Sequence, residues 1–175
     1  MIRFLKPADY VTMPWANGLG QTVEMVRVER DGALLWRLSM ASVIADGPFS
    51  ILPEIDRNLT VISGPGFGLT GPGFDLTCRP LVPVAFPGLV PLCATGVREP
   101  STDFNVMTLL SLPQPIVQVS AGVRMLSAPE GGTLCIFTLT HAVVGGFTLP
   151  PHHLVITNGN GRVDGGLVIA VGLAF

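Results

Sequence analysis

Four short segments gather the side chains in this chain that could do chemistry. Residues 13–24 bring Trp15, Asn17, Gly18, Gly20, Thr22 and Glu24 together, an indole and an amide beside backbone that can approach a ligand closely. Trp36-Arg37-Leu38-Ser39 sets an arginine and a serine two residues apart. Residues 46–57 hold Gly47-Pro48-Phe49-Ser50 and end in Asp56-Arg57, and Asp103-Phe104-Asn105-Val106-Met107 adds a carboxyl and an amide at alternate positions. A guanidinium is a planar fork that matches a carboxylate, and the amides of Asn17 and Asn105 can each donate and accept. Together these types suit recognition of a small polar acid.

Each segment also has a plainer structural role. Residues 13–24 equally suit a glycine-rich loop with a core tryptophan. In the run 34–42, strand alternation groups Trp36, Leu38 and Met40 on one face and Arg37, Ser39 and Ala41 on the other. Periodicity does not say which face is inward, so Arg37 points either into a barrel or into solvent. Asp56 and Arg57 form a local ion pair or face opposite ways at a strand start. Asp103, Asn105 and Met107 share a face, opposite Phe104 and Val106.

Other catalytic devices are missing from the sequence. His141, His152 and His153 are the only histidines, and neighbours on a strand point to opposite faces. There is no HxH, no HExxH and no cysteine pair at zinc spacing, so neither a metal nor another cofactor is expected. GxSxG and GxxxxGK[ST] are also absent. Gly64-Pro65-Gly66-Phe67-Gly68 lies in a β pattern with no helix after it and reads as a turn.

The elements that must position these groups are strands. Twenty-one glycines and 16 prolines punctuate short runs rich in Val, Ile, Leu, Phe and Thr. Strands are predicted over 22–29, 34–42, 57–62, 66–70 and 73–78, the last two flanking a Gly71-Pro72 hairpin. Further runs cover 81–86, 104–110, 116–120, 122–126, 133–139, 145–149, 154–156 and 167–171. No amphipathic helix is visible, and residues 9–13 suit a single turn at most. The pattern is all-β, a sandwich or a barrel.

Composition bounds the rest. A chain of 175 residues fits one domain with a sizeable core. With a net charge of −2, one lysine (Lys6) and scattered arginines, it offers no phosphate-binding patch, so nucleic acid is not an expected partner. The three cysteines, Cys78, Cys93 and Cys135, are odd in number and form no CxxC, which suits small core side chains in a reducing compartment. Mean hydropathy is +0.56, yet the uncharged stretches 80–97 and 131–161 are too rich in proline and glycine for a spanning helix. The first residues lack the apolar run of a signal peptide. A cytoplasmic protein without membrane contact is expected.

Taken in order, the four segments resemble the HutD/Ves family. Its pattern runs Trp-Lys-Asn-Gly-Gly-Gly followed by Thr and Glu, then Trp-Arg-x-Ser. A Gly-Pro-Phe-Ser block ending in Asp-Arg comes next, and then Asp-x-Asn-Val-Met. Here these are residues 15–24, 36–39, 47–57 and 103–107, with Ala16 at the usual lysine and Leu19 at a usual glycine. The resemblance covers roughly the first two-thirds of the chain and is weak beyond Met107. It implies a cupin-like double-stranded β-helix barrel without metal ligands, in a compact two-cupin (bicupin) arrangement of one domain, 1–175, with its halves meeting near 105–115. It also implies a regulatory role in histidine utilisation through a bound intermediate such as urocanate or formylglutamate; the Ves branch is linked to stress response.

The candidate ligand-binding set is Trp15, Asn17, Gly18, Glu24, Arg37, Ser39, Phe49, Arg57, Asp103 and Asn105, and the favoured partner is a small carboxylate metabolite. A metal-free isomerase, lyase or hydrolase of a small organic acid, with Glu24, Asp56 or Asp103 as general acid or base, is the alternative. An interaction or stress-response module without a ligand is the third reading. Charged residues make up only 13% of the chain against 48% hydrophobic, so the surface is thinly charged and self-association is expected. Light scattering at micromolar concentration is expected to give the mass of a homodimer, and a monomer mass would refute it.

Overall fold

The computed structural model describes residues 2–15 and 20–175. In chain order its strands begin with β1 (Ile2–Leu5), β2 (Val11–Pro14), β3 (Gln21–Arg30), β4 (Ala33–Val43), β5 (Gly47–Pro48) and β6 (Ile55–Ser63). Next come β7 (Phe67–Gly71), β8 (Phe74–Cys78), β9 (Val84–Pro87), β10 (Cys93–Thr95), β11 (Ser101–Leu109) and β12 (Ile116–Ser127). The series ends with β13 (Thr133–Thr138), β14 (Ala142–Val144), β15 (Phe147–Leu149), β16 (Leu154–Thr157) and β17 (Asn160–Leu173). These form two compact units, one spanning Val11–Ser111 and the other joining the residues up to Tyr10 with Leu112–Phe175.

In the Val11–Ser111 unit a six-stranded sheet, β2-β3-β4-β11-β6-β9, and a four-stranded sheet, β5-β10-β7-β8, share a hydrophobic core. Val43, Leu59, Val61 and Phe86 come from the first sheet, and Phe67, Leu69, Cys78 and Ala94 from the second. The antiparallel register across β4, β11 and β6 sets which side chains meet. It lines up Arg37, Met107 and Arg57 in one row, Ser39, Asn105 and Leu59 in the next, and Ala41, Asp103 and Val61 in a third. Alternation turns all nine to the same face. Trp36, Leu38, Phe104 and Val106 are buried on the other face, so β4 and β11 are covered on both sides. This is why alternation alone cannot tell the inward side of the arginine strand.

The second unit is one seven-stranded sheet centred on β17, with Leu134, Ile136, Val155, Val168 and Ala170 in its core. β17 starts at Asn160, well before the run 167–171 that the apolar pattern marks, because it serves three neighbours along its length. It pairs with β12, with β13 and, at Val163, with β14. The bend between these pairings falls at Gly165 and Gly166, both at positive φ, and a Cβ on Gly166 would come within 2.4 Å of the His141 carbonyl. The two runs expected over 116–126 are the single strand β12, with a register shift beside Gly122 at φ 74°.

Other departures have local causes. The turn expected at 9–13 is a 3₁₀ turn at Pro7–Asp9, where the Asp9 carboxylate accepts the Lys6 N–H at 2.9 Å, and Val11–Pro14 is a strand. Cys78 and Cys135 are buried, but Cys93 is exposed, because on β10 its neighbour Ala94 takes the inward position. Among the described residues no helix is long and apolar enough to cross a membrane.

Leu69 is fully buried in the core of the first unit, whereas Leu89 is 63% exposed. Leu69→Ala is expected to cost about 2–5 kcal/mol in chemical denaturation, and Leu89→Ala less than about 0.5 kcal/mol. Equal losses would mean that this core is misassigned.

Candidate functional site

The face carrying the Arg37, Ser39 and Asp103 rows opens onto a cavity of about 420 Å³. Seven of the ten candidate residues line it: Trp15, Arg37, Ser39, Phe49, Arg57, Asp103 and Asn105. Glu24 is not part of the wall. Asn17 and Gly18 lie outside the described residues. The Trp15 N–H donates to the Gly20 carbonyl at 2.9 Å. A Cβ on Gly20 would meet the Trp15 ring at 2.9 Å and the Ser42 carbonyl at 2.7 Å, so the glycine there serves a close approach within the protein. The Trp15 indole N–H donates to the Thr22 hydroxyl at 2.9 Å, which fixes the ring at the cavity wall.

Arg37 points into the cavity and is held from β3. Its Nε donates to Glu24 Oε2 at 2.6 Å, and the two side chains are only 16% and 20% exposed. The pairing depends on a bulge in β3: Glu24 sits opposite Ser39, but Val26 sits opposite Leu38, leaving Met25 as the extra residue. Glu24 therefore orients a candidate binding group.

Arg57 is more deeply placed, at 7% exposure. Its guanidinium carbon lies 5.1 Å from the ring centres of both Phe49 and Phe86. Cation–π attraction from two rings partly replaces lost hydration. Nη1 donates to the Ser50 carbonyl at 3.4 Å, while Nε has no partner within the protein. Burial lowers the Arg57 pKa to about 10, with the Asp103 charge opposing the fall and Arg37 adding to it. The group is still a cation at neutral pH. Asp56, one residue earlier, does not line the cavity, so the adjacent pair 56–57 is split by strand alternation.

Asp103 is fully buried, and one of its oxygens accepts a hydrogen bond from the Asn105 amide. Its Oδ2 has no partner, nor has Asn105 Oδ1. Burial raises the Asp103 pKa to about 7, against the opposing pull of the Asn105 hydrogen bond and the Arg57 charge. Three side chains that line the cavity, Arg57, Asp103 and Asn105, thus each keep a buried polar atom without a partner in the protein. Among the described residues no three His, Cys, Asp or Glu side chains come together to hold a metal ion.

Three further contributors, Phe86, Met107 and Ser50, are outside the set that sequence reasoning selects. Alternation puts Met107 on the Asp103 face, but a thioether has no obvious task in binding an acid. Phe86 sits opposite Arg57 on β9, a pairing between distant segments that no local pattern announces. Ser50 contributes a backbone carbonyl, to which side-chain type is blind.

The family model described as HutD matches residues 7–166. The chain belongs to the HutD family. It is 32% identical over 136 residues to Protein Ves of Cronobacter sakazakii, covering 74% of this chain and 75% of that one. The solved structure of HutD from Pseudomonas fluorescens SBW25 (formate condition) superposes with a TM-score of 0.90 at 30% identity, over 99% of this chain and 98% of that one. The bacterial pirin YhhW from Escherichia coli, solved in complex with nickel(II), covers 99% of each chain at 6% identity and a TM-score of 0.70, a likeness of fold alone. The all-β fold of this HutD-family chain is accordingly cupin-like.

The Asp103 environment has a consequence for stability. Its folded pKa lies above the unfolded value, so between about pH 4 and 7 the folded chain holds a proton that the unfolded one has lost. This group's contribution therefore falls as pH rises through that window and is level above it. Asp103→Asn is expected to gain stability relative to the parent as pH rises from 5 to 8, by on the order of 1–3 kcal/mol in denaturant midpoints. A gain independent of pH would show that Asp103 ionises normally.

Proposed function

We propose that this HutD-family protein binds a small carboxylate-bearing metabolite in the cavity of the Val11–Ser111 unit and acts as a sensor in histidine utilisation. One observation carries this reading more than any other. Arg57 is a buried cation packed against two rings, and it lines the cavity together with Asp103 and Asn105; its Nε, Asp103 Oδ2 and Asn105 Oδ1 are buried without a partner in the protein. An arginine edge suits a carboxylate, and the Asn105 oxygen suits an N–H donor on the same ligand. N-Formylglutamate, with an amide N–H, and urocanate, with an imidazole, both carry that combination, and the family's name supports the pathway. In this reading the protein works in the cytoplasm as a homodimer. Its two units are two cupin-like halves, a division supported by the break between Ser111 and Leu112.

A second reading has its own support. A buried carboxyl with a pKa near 7 is poised for proton transfer, so Asp103 fits a general acid or base in a metal-free enzyme acting on a small organic acid. Glu24 is less suited, being committed to Arg37, and Asp56 lies off the cavity wall. Binding without turnover is favoured here, because among the described residues the only side-chain hydroxyls on the wall are those of Ser39, Ser50 and Thr22, the last already holding Trp15.

Calorimetry with formate, urocanate and N-formylglutamate tests both readings. One carboxylate per cavity is expected to bind. Arg57→Ala should weaken it about 10- to 100-fold, and Arg37→Ala should weaken it less because Glu24 already shares that charge. No heat from any of the three, or unchanged affinity in both variants, would overturn the sensor. Steady consumption of a ligand, abolished in Asp103→Asn, would promote the enzyme.

A further inference from the structure

The two cations of the cavity wall already have anions acting on them before any ligand arrives. Arg37 is matched by Glu24 at 2.6 Å, the Asp103 charge acts on Arg57, and Asp46 adds a second carboxyl to the wall. A carboxylate brought to Arg57 therefore leaves negative charge in excess, in a region where Arg57, Asp103 and Asn105 are at most 7% exposed. An uncompensated buried charge is costly, and the least costly remedy is to neutralise one of the anions. Resting on the carboxylate-binding reading, we propose that the ligand enters together with one proton, which Asp103 takes up on Oδ2, so that the cavity is a proton-coupled anion site.

Geometry selects Asp103 as the acceptor. Its Oδ1 is occupied by the Asn105 amide, whereas Oδ2 has no partner. Protonation there neutralises the carboxyl without disturbing the hydrogen bond from Asn105. It also removes the anion that competes with the ligand for Arg57. The other groups nearby cannot take this part. Glu24 on β3 is tied to Arg37 on β4. Cys78 on β8 is a neutral thiol, pushed up to about 12 by burial and by the Asp103 charge. Asp46, also on the wall, already accepts the Val97 N–H at 2.8 Å. Burial already holds the Asp103 carboxyl near neutrality, so the extra charge of a ligand needs only to tip it.

Linkage fixes the sign of the pH dependence. Below the free-state pKa of about 7, Asp103 is protonated with or without ligand, and affinity is level. Above it, each pH unit removes about tenfold in affinity, until the carboxyl of the complex also ionises.

Formate and N-formylglutamate are the probes of choice, since neither titrates between pH 6 and 9, unlike the imidazole of urocanate. Calorimetry on the full chain, in pairs of buffers with different ionisation heats, counts protons directly. Close to one proton should be taken up per carboxylate at pH 8, with affinity falling about tenfold from pH 8 to 9 and little from pH 5.5 to 6.5. Asp103→Asn should still bind the carboxylate, with flat affinity and no proton uptake. Wild-type binding that is equally tight at pH 6 and 9, or a slope that survives in Asp103→Asn, would overturn the coupling while leaving the binding reading intact. Absence of carboxylate binding at every pH would remove both. The wild-type proton count stands whether or not the variant folds.

Discussion

Charge placed in a dry interior has to be compensated locally, and the site in this protein is organised around that requirement. The β4-β11-β6 register turns two guanidinium groups to one side of a sheet, with only Met107 between them. Each has its own support. Arg37 is met by Glu24 because a bulge at Met25 brings that residue opposite Ser39. Arg57 is held by two phenylalanine rings and the Ser50 carbonyl, with Asp103 close enough to perturb its titration. Because both cations sit on paired strands, their positions are set by backbone hydrogen bonds before any ligand arrives. Such fixed groups lose little freedom on binding.

The two cations are not equivalently placed. The Glu24–Arg37 pair is partly exposed and has short charge-assisted contact, so its members satisfy one another. Arg57 and Asp103 lie deeper, and the hydrogen-bonding capacity of neither is filled within the protein. In an interior of low polarity, leaving such atoms unpaired is worse than never having buried them. Thr138 in the other unit shows the usual outcome: its hydroxyl donates to the Pro150 carbonyl at 2.7 Å and accepts the His153 N–H at 2.9 Å.

Much of this arrangement is legible in the sequence, and the illegible part has identifiable causes. Alternation at Arg37-Leu38-Ser39 and at Asp103-Phe104-Asn105 assigns residues to faces correctly, because period two is a property of any strand. It cannot say which face is inward at β4, since Trp36 and Leu38 are as buried as Ser39. The runs marked by Val, Ile and Leu are strands with nearby bounds, whereas the short strands β1, β10 and β14 carry too few residues to show a period. Glu24 belongs by type among groups that touch a ligand, and only the register reveals that Arg37 claims it. Phe86 is out of reach for the same reason: cross-strand pairing joins residues that are far apart in sequence.

An unpaired buried atom is not by itself a mark of function in this protein. Trp36 Nε1, Asn58 Oδ1, Thr60 Oγ1 and Thr108 Oγ1 are also without protein partners. What separates Arg57, Asp103 and Asn105 from these is convergence: one donor and two acceptors belong to side chains that line the same cavity, and two of them carry ionisable charge. A ligand that supplies an anion edge and an N–H answers both Arg57 and the Asn105 oxygen, whereas one that supplies only the anion leaves that acceptor unpaired. Selectivity in such a site therefore comes less from the attraction of Arg57, which any anion enjoys, than from the penalty on ligands that leave Asn105 unmatched.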